Sequence, residues 1–139
     1  MILSKKTRYA MVALANLARN YGNGPIQIRE IANEEKIPQS FLENILLELK
    51  KMGILGSLVG KSGGYYLLKK PSEVNLAEIL DHFEGTLSLL YCVSEKAYRP
   101  CEFCKDETTC QIRRVFKEIL VNTNNILQKA TLETLIKRQ

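Results

Sequence analysis

Apolar residues recur at intervals of three and four along three segments near the start of the chain, which is the spacing of one face of an α-helix. These segments cover residues 3–20, 27–35 and 38–51. Pro38 would stand in the first turn of the third helix, where its missing N–H is harmless. The apolar face of that third helix comprises Phe41, Leu42, Ile45, Leu46 and Leu49.

Two short apolar segments follow, and a glycine-rich turn separates them. Residues 54–59 read ILGSLV and residues 65–68 read YYLL, on either side of GKSGG at 60–64. Two strands around such a turn form a hairpin. Three helices followed by a hairpin indicate a winged helix-turn-helix domain, with Lys61 at the wing tip. The turn does not match a phosphate-binding P-loop, in which a Lys-Ser/Thr pair follows the glycines and leads into a helix. Here Lys61-Ser62 precedes Gly63-Gly64 and a strand-like segment follows, which favours a wing.

The second half of the chain is dominated by one long amphipathic helix. Asn75 and Glu78 have the spacing of a capping box and predict a short helix from Leu76 to about His82. Residues 85–109 show no period, whereas residues 110–130 again show helical spacing. Because a three-helix domain cannot cover the whole apolar stripe of this helix, we expect a homodimer. The predicted interface comprises Ile112, Val115, Phe116, Ile119, Ile126 and Leu127.

The predicted fold class is mainly α, with a winged helix-turn-helix domain, a small two-stranded wing and a long dimerisation helix. We divide the chain into the DNA-binding domain at 1–83, a cysteine-rich loop at 84–109, and the dimerisation helix with a C-terminal turn at 110–139. The length of 139 residues suits one domain. No apolar run approaches membrane-spanning length, and charges occupy the place of a signal peptide's apolar stretch. We therefore expect a cytoplasmic protein with no membrane partner.

Positive charge is concentrated in the first half of the chain. Residues 1–70 hold 11 Lys and Arg against 5 Asp and Glu, a net +6, whereas residues 71–139 hold 9 against 10, a net −1. This asymmetry favours an anionic partner, and nucleic acid is the leading candidate.

The outward side chains of the third predicted helix share one side and carry groups that hydrogen-bond to base edges in the major groove. We expect Gln39, Ser40, Glu43 and Asn44 to contact bases, and Lys5, Lys6 and Lys61 to contact phosphates. The full set of candidate DNA-binding residues is Lys5, Lys6, Arg8, Gln39, Ser40, Phe41, Glu43, Asn44, Lys61, Ser62 and Gly63.

All four cysteines lie within 19 residues, spaced Cys92-x8-Cys101-x2-Cys104-x5-Cys110. Four thiolates can hold a zinc ion or an iron–sulfur cluster. Structural zinc usually uses two short cysteine pairs, and this chain has one, so the spacing favours a cluster. Cys110 falls at the predicted start of the long helix, where the positive end of the dipole favours a thiolate. Free thiols or a regulatory disulfide are the alternative.

No pattern of catalytic residues is found. The single histidine, His82, lies away from the cysteines, and no nucleophile motif or recurring carboxylate pair occurs. We therefore expect a protein that is not an enzyme.

Together these motifs resemble the IscR/NsrR/CymR family of bacterial winged-helix regulators over essentially the whole chain. The resemblance is carried by SKKTRYA at 4–10, IPQSFL at 37–42, GKSGGY at 60–65 and a cysteine loop before a long helix. It implies a homodimer crossed through the long helix and bound to a palindromic promoter site in double-stranded DNA. Many members hold a [2Fe–2S] or [4Fe–4S] cluster on three cysteines plus a variable fourth ligand. Members related to CymR lack the cluster and respond to cysteine metabolism through a partner enzyme.

Transferred to this sequence, the resemblance implies that Cys92 and Cys110 are the first and last cluster ligands and that Cys101 or Cys104 is the middle one. One branch has a histidine three residues after the last cysteine, where this chain has Arg113. The fourth ligand is then the extra cysteine or a residue from elsewhere.

The same branch has an arginine before the wing glycine that reads the minor groove, where this chain has Val59. We therefore expect the operator, or the way it is read, to differ from that of this branch.

The sequence thus predicts a DNA-binding transcription regulator, mostly a repressor. Its promoter affinity would be tuned by a cluster, [2Fe–2S] in preference to [4Fe–4S], that senses iron–sulfur status, redox state or nitric oxide. Two alternatives stay open. One is a cluster-free regulator of cysteine and sulfur metabolism that acts through thiol oxidation or a partner enzyme. The other is a zinc-stabilised interaction module that does not bind DNA.

Overall fold

The computed structural model describes residues 2–137 and contains mostly helix. The helices are α1 (Lys5–Arg19), α2 (Ile28–Glu35), α3 (Gln39–Lys51), α4 (Leu76–Glu84), α5 (Gln111–Lys129) and α6 (Leu132–Lys137). The strands are β1 (Leu55–Leu58) and β2 (Gly64–Leu67), and single 3-10 turns lie at Pro71–Glu73 and Tyr91–Val93. The predicted order of three helices, a hairpin, a short helix and a long helix is confirmed. None of the helices within this range has the length and apolar character needed to cross a membrane.

Side-chain caps explain where two of the helices begin. The Ser4 hydroxyl accepts a hydrogen bond from the Thr7 N–H at 3.2 Å before α1, and the Asn75 side chain accepts one from the Glu78 N–H at 3.1 Å before α4. Both caps satisfy N–H groups that have no partner inside the helix. The predicted capping residue of α4 is therefore confirmed.

The core is built by α1, α2, α3, the hairpin, α4 and α6. Its fully buried side chains include Leu14, Ile31, Leu42, Ile45, Leu46, Leu49, Leu55, Ile79 and Leu132. The contribution of α6 differs from the expectation, which grouped the C-terminal turn with the dimerisation helix. In the structure α6 packs against α1, and the Leu132 N–H donates to the Val74 carbonyl at 2.9 Å. The chain thus returns to the winged domain after α5.

The apolar face of α3 is confirmed for four of its five predicted residues, but the prediction for Phe41 is wrong. The Phe41 side chain is 53% exposed and lies edge-on to the Tyr9 ring, with centroids 6.3 Å apart. Successive residues of a helix are about 100° apart, so a ring next to Leu42 is carried to the edge of the buried face. Phe41 therefore adds an apolar group beside the polar face of α3.

The wing is an antiparallel hairpin that also pairs with the segment before α2. Leu55 lies opposite Leu67, and Leu58 lies opposite Gly64. Ile26 and Tyr65 exchange two backbone hydrogen bonds, each of 2.8 Å. A Cβ atom at Gly64 would lie 2.3 Å from the Ile26 carbonyl oxygen, so this close approach requires glycine.

The long helix α5 has no buried residue and packs on α4 and on the 3-10 turn at Tyr91–Val93. Its predicted stripe is largely uncovered: Ile112 is 66%, Val115 54%, Ile119 42% and Ile126 69% exposed. Phe116 and Leu127 are partly buried, so the remaining described residues cover this stripe only in part. Its pairing with a second copy of the chain stays a prediction.

Candidate DNA interface and cysteine cavity

The four side chains predicted to read bases lie on the exposed face of α3. Gln39, Ser40, Glu43 and Asn44 are all exposed, while the opposite face is buried against the core. None of the hydrogen bonds or ion pairs found within residues 2–137 engages these side chains. Their donors and acceptors are thus presented to a ligand on a helix that the core holds in place.

The predicted phosphate contacts differ in their surroundings. Lys5, Arg8 and Lys61 are exposed, and the described part of the chain offers them no ion pair. The Lys6 ammonium instead lies 2.5 Å from the Glu48 carboxylate on α3 and 5.7 Å from the centroid of the Phe83 ring on α4. A phosphate contact by Lys6 would have to break this pair.

The residues at the wing tip differ in their exposure to solvent. Ser62 and Val59 are exposed, and Val59 is fully so. Gly63 is buried, and a Cβ there would lie 2.1 Å from the Leu58 carbonyl oxygen. Gly63 therefore closes the turn, and a DNA contact from it would be made by its backbone.

A groove of about 370 Å³ lies between the wing, the start of α2 and the start of α3. It is lined by Gln27, Ile28, Arg29, Gln39, Gly60, Gly63, Gly64 and Tyr65. Sequence reasoning missed Gln27 and Arg29 because no local pattern shows that the wing folds over the start of α2.

All four cysteines line one cavity of about 470 Å³. Cys92 is buried, Cys104 and Cys110 are partly exposed, Cys101 is exposed, and all four are free thiols. The other lining residues are Leu90, Tyr91, Arg99, Pro100, Glu102, Phe103, Ile112 and Arg113. The structure thus brings together the four residues that the sequence singled out as ligands.

Cys110 precedes the first residue of α5, as predicted. Its sulfur accepts a hydrogen bond from the Arg113 N–H at 3.4 Å, so the cysteine caps the helix. The Arg113 guanidinium donates to the Cys92 carbonyl oxygen at 3.3 Å. Arg113 therefore joins the first and last cysteines of the cavity, and it occupies the position where one branch of the resembled family has histidine.

The loop around the cavity is shaped by a few polar contacts. The Tyr98 hydroxyl donates to the Glu107 carboxylate, which raises the pKa of Tyr98. The Thr108 hydroxyl and N–H donate to Asp106, which lowers the pKa of that carboxyl group. The pKa of the Cys104 thiol is raised, first by partial loss of water and then by the nearby Glu107 carboxylate. These causes both favour the neutral thiol over the thiolate at Cys104.

The lining of the cavity offers four thiols, the donors that both an iron–sulfur cluster and a zinc ion take. In the part of the chain that the structure describes, no three Cys, His, Asp or Glu side chains are close enough to bind one ion. His82 takes no part, since it lies at the α3–α4 contact, 3.8 Å from Glu48.

Comparisons with known proteins place these features in a family. The sequence matches the Rrf2 family, described as an iron-dependent transcriptional regulator, over residues 3–138. An rrf2-like HTH-type transcriptional regulator of Rhodobacter capsulatus is 39% identical over 138 residues, covering 97% of this chain and 92% of the relative.

Two solved structures share the fold along nearly the whole chain. The first is IscR of T. potens, with a TM-score of 0.76 at 25% identity. The match covers 99% of this chain and 88% of the IscR chain. The second is CymR of B. subtilis, the global cysteine regulator, with a TM-score of 0.83 at 24% identity. The match covers 100% of this chain and 98% of the CymR chain.

Proposed function

Because this chain belongs to the Rrf2 family of winged-helix, DNA-binding transcriptional regulators, we propose that an iron–sulfur cluster in its cysteine cavity sets its affinity for promoter DNA. One observation supports the cluster above all: the four cysteines line a single cavity at the start of α5. Scattered structural thiols have no reason to gather in this way. The family description as iron-dependent agrees with this assignment.

Cys92, Cys110 and at least one of Cys101 and Cys104 would hold the cluster, which we take to be [2Fe–2S]. The fourth ligand would be the remaining cysteine or a residue from elsewhere. When bound, such a group supplies a centre that oxidation or nitric oxide can alter. The residues of the chain hold the ligands in place: Arg113 ties the Cys92 carbonyl to α5, and Cys110 caps the same helix.

The position of the cavity suggests how cluster binding would change the affinity for DNA. Residues 85–110 connect α4 to α5, so a group that fixes this loop would restrain both helices. At the end of α4, the Glu84 carboxylate accepts hydrogen bonds from the Ser4 N–H at 2.8 Å and the Thr7 hydroxyl at 2.7 Å. These contacts tie α4 to the start of α1, where Lys5 is exposed. A fixed loop would then fix α5 relative to the DNA-binding face.

The exposed stripe of α5 supports a homodimer. Two chains joined along this stripe would present two α3 helices to successive major grooves about one helical turn apart. In this arrangement, bases would be read from α3, and phosphates would be contacted by Lys5 and Lys61. The spacing of the two α3 helices would respond to the state of the cysteine loop.

Anaerobic reconstitution with iron and sulfide, followed by iron analysis and visible absorption, tests the cluster. We expect bound iron in the wild type and none in Cys110→Ala. Gln111→Ala should retain iron, because this exposed residue follows Cys110 at the start of α5. If only three cysteines bind, one of Cys101→Ala and Cys104→Ala should be nearly silent.

Wild-type protein without iron, or Cys110→Ala with full iron, would contradict the proposal and favour a cluster-free thiol switch. A colourless wild-type protein that holds zinc would favour the interaction module.

A further inference from the structure

The tip of the wing is rich in glycine, and a side chain of another element holds it. Residues 59–63 join β1 to β2, and Gly60 has a φ of 112°. Within residues 2–137, the one hydrogen bond that reaches this tip from another element is donated by the Gln27 side-chain amide to the Lys61 carbonyl oxygen at 2.8 Å. The position of the tip therefore depends on Gln27.

The base of the wing is held independently of this bond. Ile26 and Tyr65 pair through two backbone hydrogen bonds of 2.8 Å, and β1 pairs with β2 over four residue pairs. Loss of the Gln27 amide would leave these contacts in place. Only the tip would gain freedom.

Gln27 lies between the wing tip and the reading helix. It lines the same groove as Gln39, the first residue of α3, and the wing glycines Gly60 and Gly63. Among the described residues, Arg29 is the charged member of the lining, and none of them contributes a carboxylate to it. The groove thus suits the phosphate backbone of a DNA strand that passes between α3 and the wing.

We propose that Gln27 is a positioning residue for DNA binding: it fixes the wing tip at a set distance from α3, so that Lys61 and Ser62 meet the DNA backbone without reordering. The inference rests on the proposed function of the wing in contacting DNA. A glycine-rich tip without this bond loses conformational freedom when DNA binds, and that loss opposes association. Gln27 acts through pre-organisation of the tip.

Gln27→Met tests the inference because it keeps the size of the side chain and removes the donor. Asn33→Leu is the matched control, since it makes the same kind of change at an exposed position of α2. The probe is a DNA duplex that the wild-type protein selects from a random-sequence pool. We expect Gln27→Met to bind about three- to tenfold more weakly, the effect of one lost hydrogen bond. Because a freed tip would hold Lys61 at a phosphate in only part of the complexes, the slope of log affinity against log salt should also fall, by at most about one phosphate contact.

A merely structural role would lower the thermal stability of Gln27→Met and leave the salt slope unchanged. Wild-type affinity and slope in this variant overturn the proposal, as does a loss of binding explained by its unfolded fraction. Asn33→Leu is expected to match the wild type in both measurements.

A second experiment separates the positioning role of Gln27 from the proposed phosphate contact of Lys61. Lys61→Ala is made both in the wild type and in Gln27→Met, and the loss of DNA affinity is compared. If Gln27 presets the tip, Lys61→Ala costs less affinity in the Gln27→Met background than in the wild type. Equal, nonzero losses in both backgrounds overturn the inference. If Lys61→Ala has no effect while Gln27→Met weakens binding, the lysine contact is wrong. The positioning role then stands, with Ser62 or the tip backbone as the contact.

Discussion

The exposed stripe of α5 makes a quantitative prediction for the variant Ile119→Asp. In the single chain Ile119 is 42% exposed, and Val115 and Ile126 on either side of it are 54% and 69% exposed. If a second chain covers the stripe, each Ile119 loses its exposed fraction to the interface. Complete burial of such a side chain is worth about 1.5–3 kcal/mol, so the exposed part contributes about 1 kcal/mol per chain and about 2 kcal/mol per dimer.

Aspartate at this position also adds a penalty. Each carboxylate would be buried in an apolar seam without a partner, which costs at least about 2 kcal/mol per chain. The combined loss for two chains is then about 6 kcal/mol. At about 1.4 kcal/mol per tenfold change, the dimer dissociation constant should rise by about four orders of magnitude. A dimer that is stable at nanomolar concentration would become mostly monomeric at micromolar concentration.

Sedimentation velocity at micromolar concentration measures this change. The wild type should sediment as a dimer and Ile119→Asp as a monomer with unchanged helix content, because α5 has no buried residue in the single chain. Gln128→Asp is the control, since it adds the same charge to an exposed position of α5 outside the stripe. A dimeric Ile119→Asp variant would refute this interface.

Three further predictions concern the core, an acid-sensitive contact and base selection. Leu132→Ala should lower the free energy of unfolding in urea by about 2–5 kcal/mol because it leaves a cavity; the exposed Leu68→Ala should change it little. Hydrogen bonds, chiefly from Thr7, hold the pKa of Glu84 below its usual range. The wild type should therefore have a larger free energy of unfolding than Glu84→Gln above about pH 5, and this difference should vanish as the pH falls through the lowered pKa. Urea unfolding at several pH values measures it, and a difference that stays constant with pH would exclude this contact. Glu43→Ala should relax base selection by about 1–3 kcal/mol per lost contact, and unchanged selection from random duplexes would exclude a base-reading role.

The winged domain could be predicted because its local patterns agree with its packing. The spacing of Leu42, Ile45 and Leu49 fixes one buried face on α3, and the structure buries all three. A glycine-rich turn between two apolar runs allows little besides a hairpin. Asn75 starts α4 through a bond to a residue only three positions away, so the sequence contains the whole signal.

What the sequence did not show depends on contacts between distant segments. Leu132 belongs to a six-residue helix, and its burial follows from packing on α1, more than 100 residues earlier in the chain. The Lys6–Glu48 pair and the Gln27–Lys61 bond likewise join residues that are 42 and 34 positions apart. Local periodicity carries no information on such contacts.

The cysteine site lies between these two cases. The clustering of cysteines predicted a common site because thiolate ligands of one group must meet in space, and the cavity contains all four. The bond from Arg113 to the Cys92 carbonyl was not predictable, since the intervening loop has no repeating pattern. The candidate ligands could thus be predicted from the sequence, whereas the role of Arg113 in joining two of them could not.

The most direct test of the claim that a bound cluster controls DNA affinity is a paired measurement of one dissociation constant. Reconstituted and iron-free protein are compared anaerobically on the same duplex, one that the wild-type protein has selected. We expect the two constants to differ by about 5- to 150-fold, the usual range for coupling between two sites, and Cys110→Ala to give one constant under both treatments. Equal constants for wild-type protein with and without bound iron would contradict the claim.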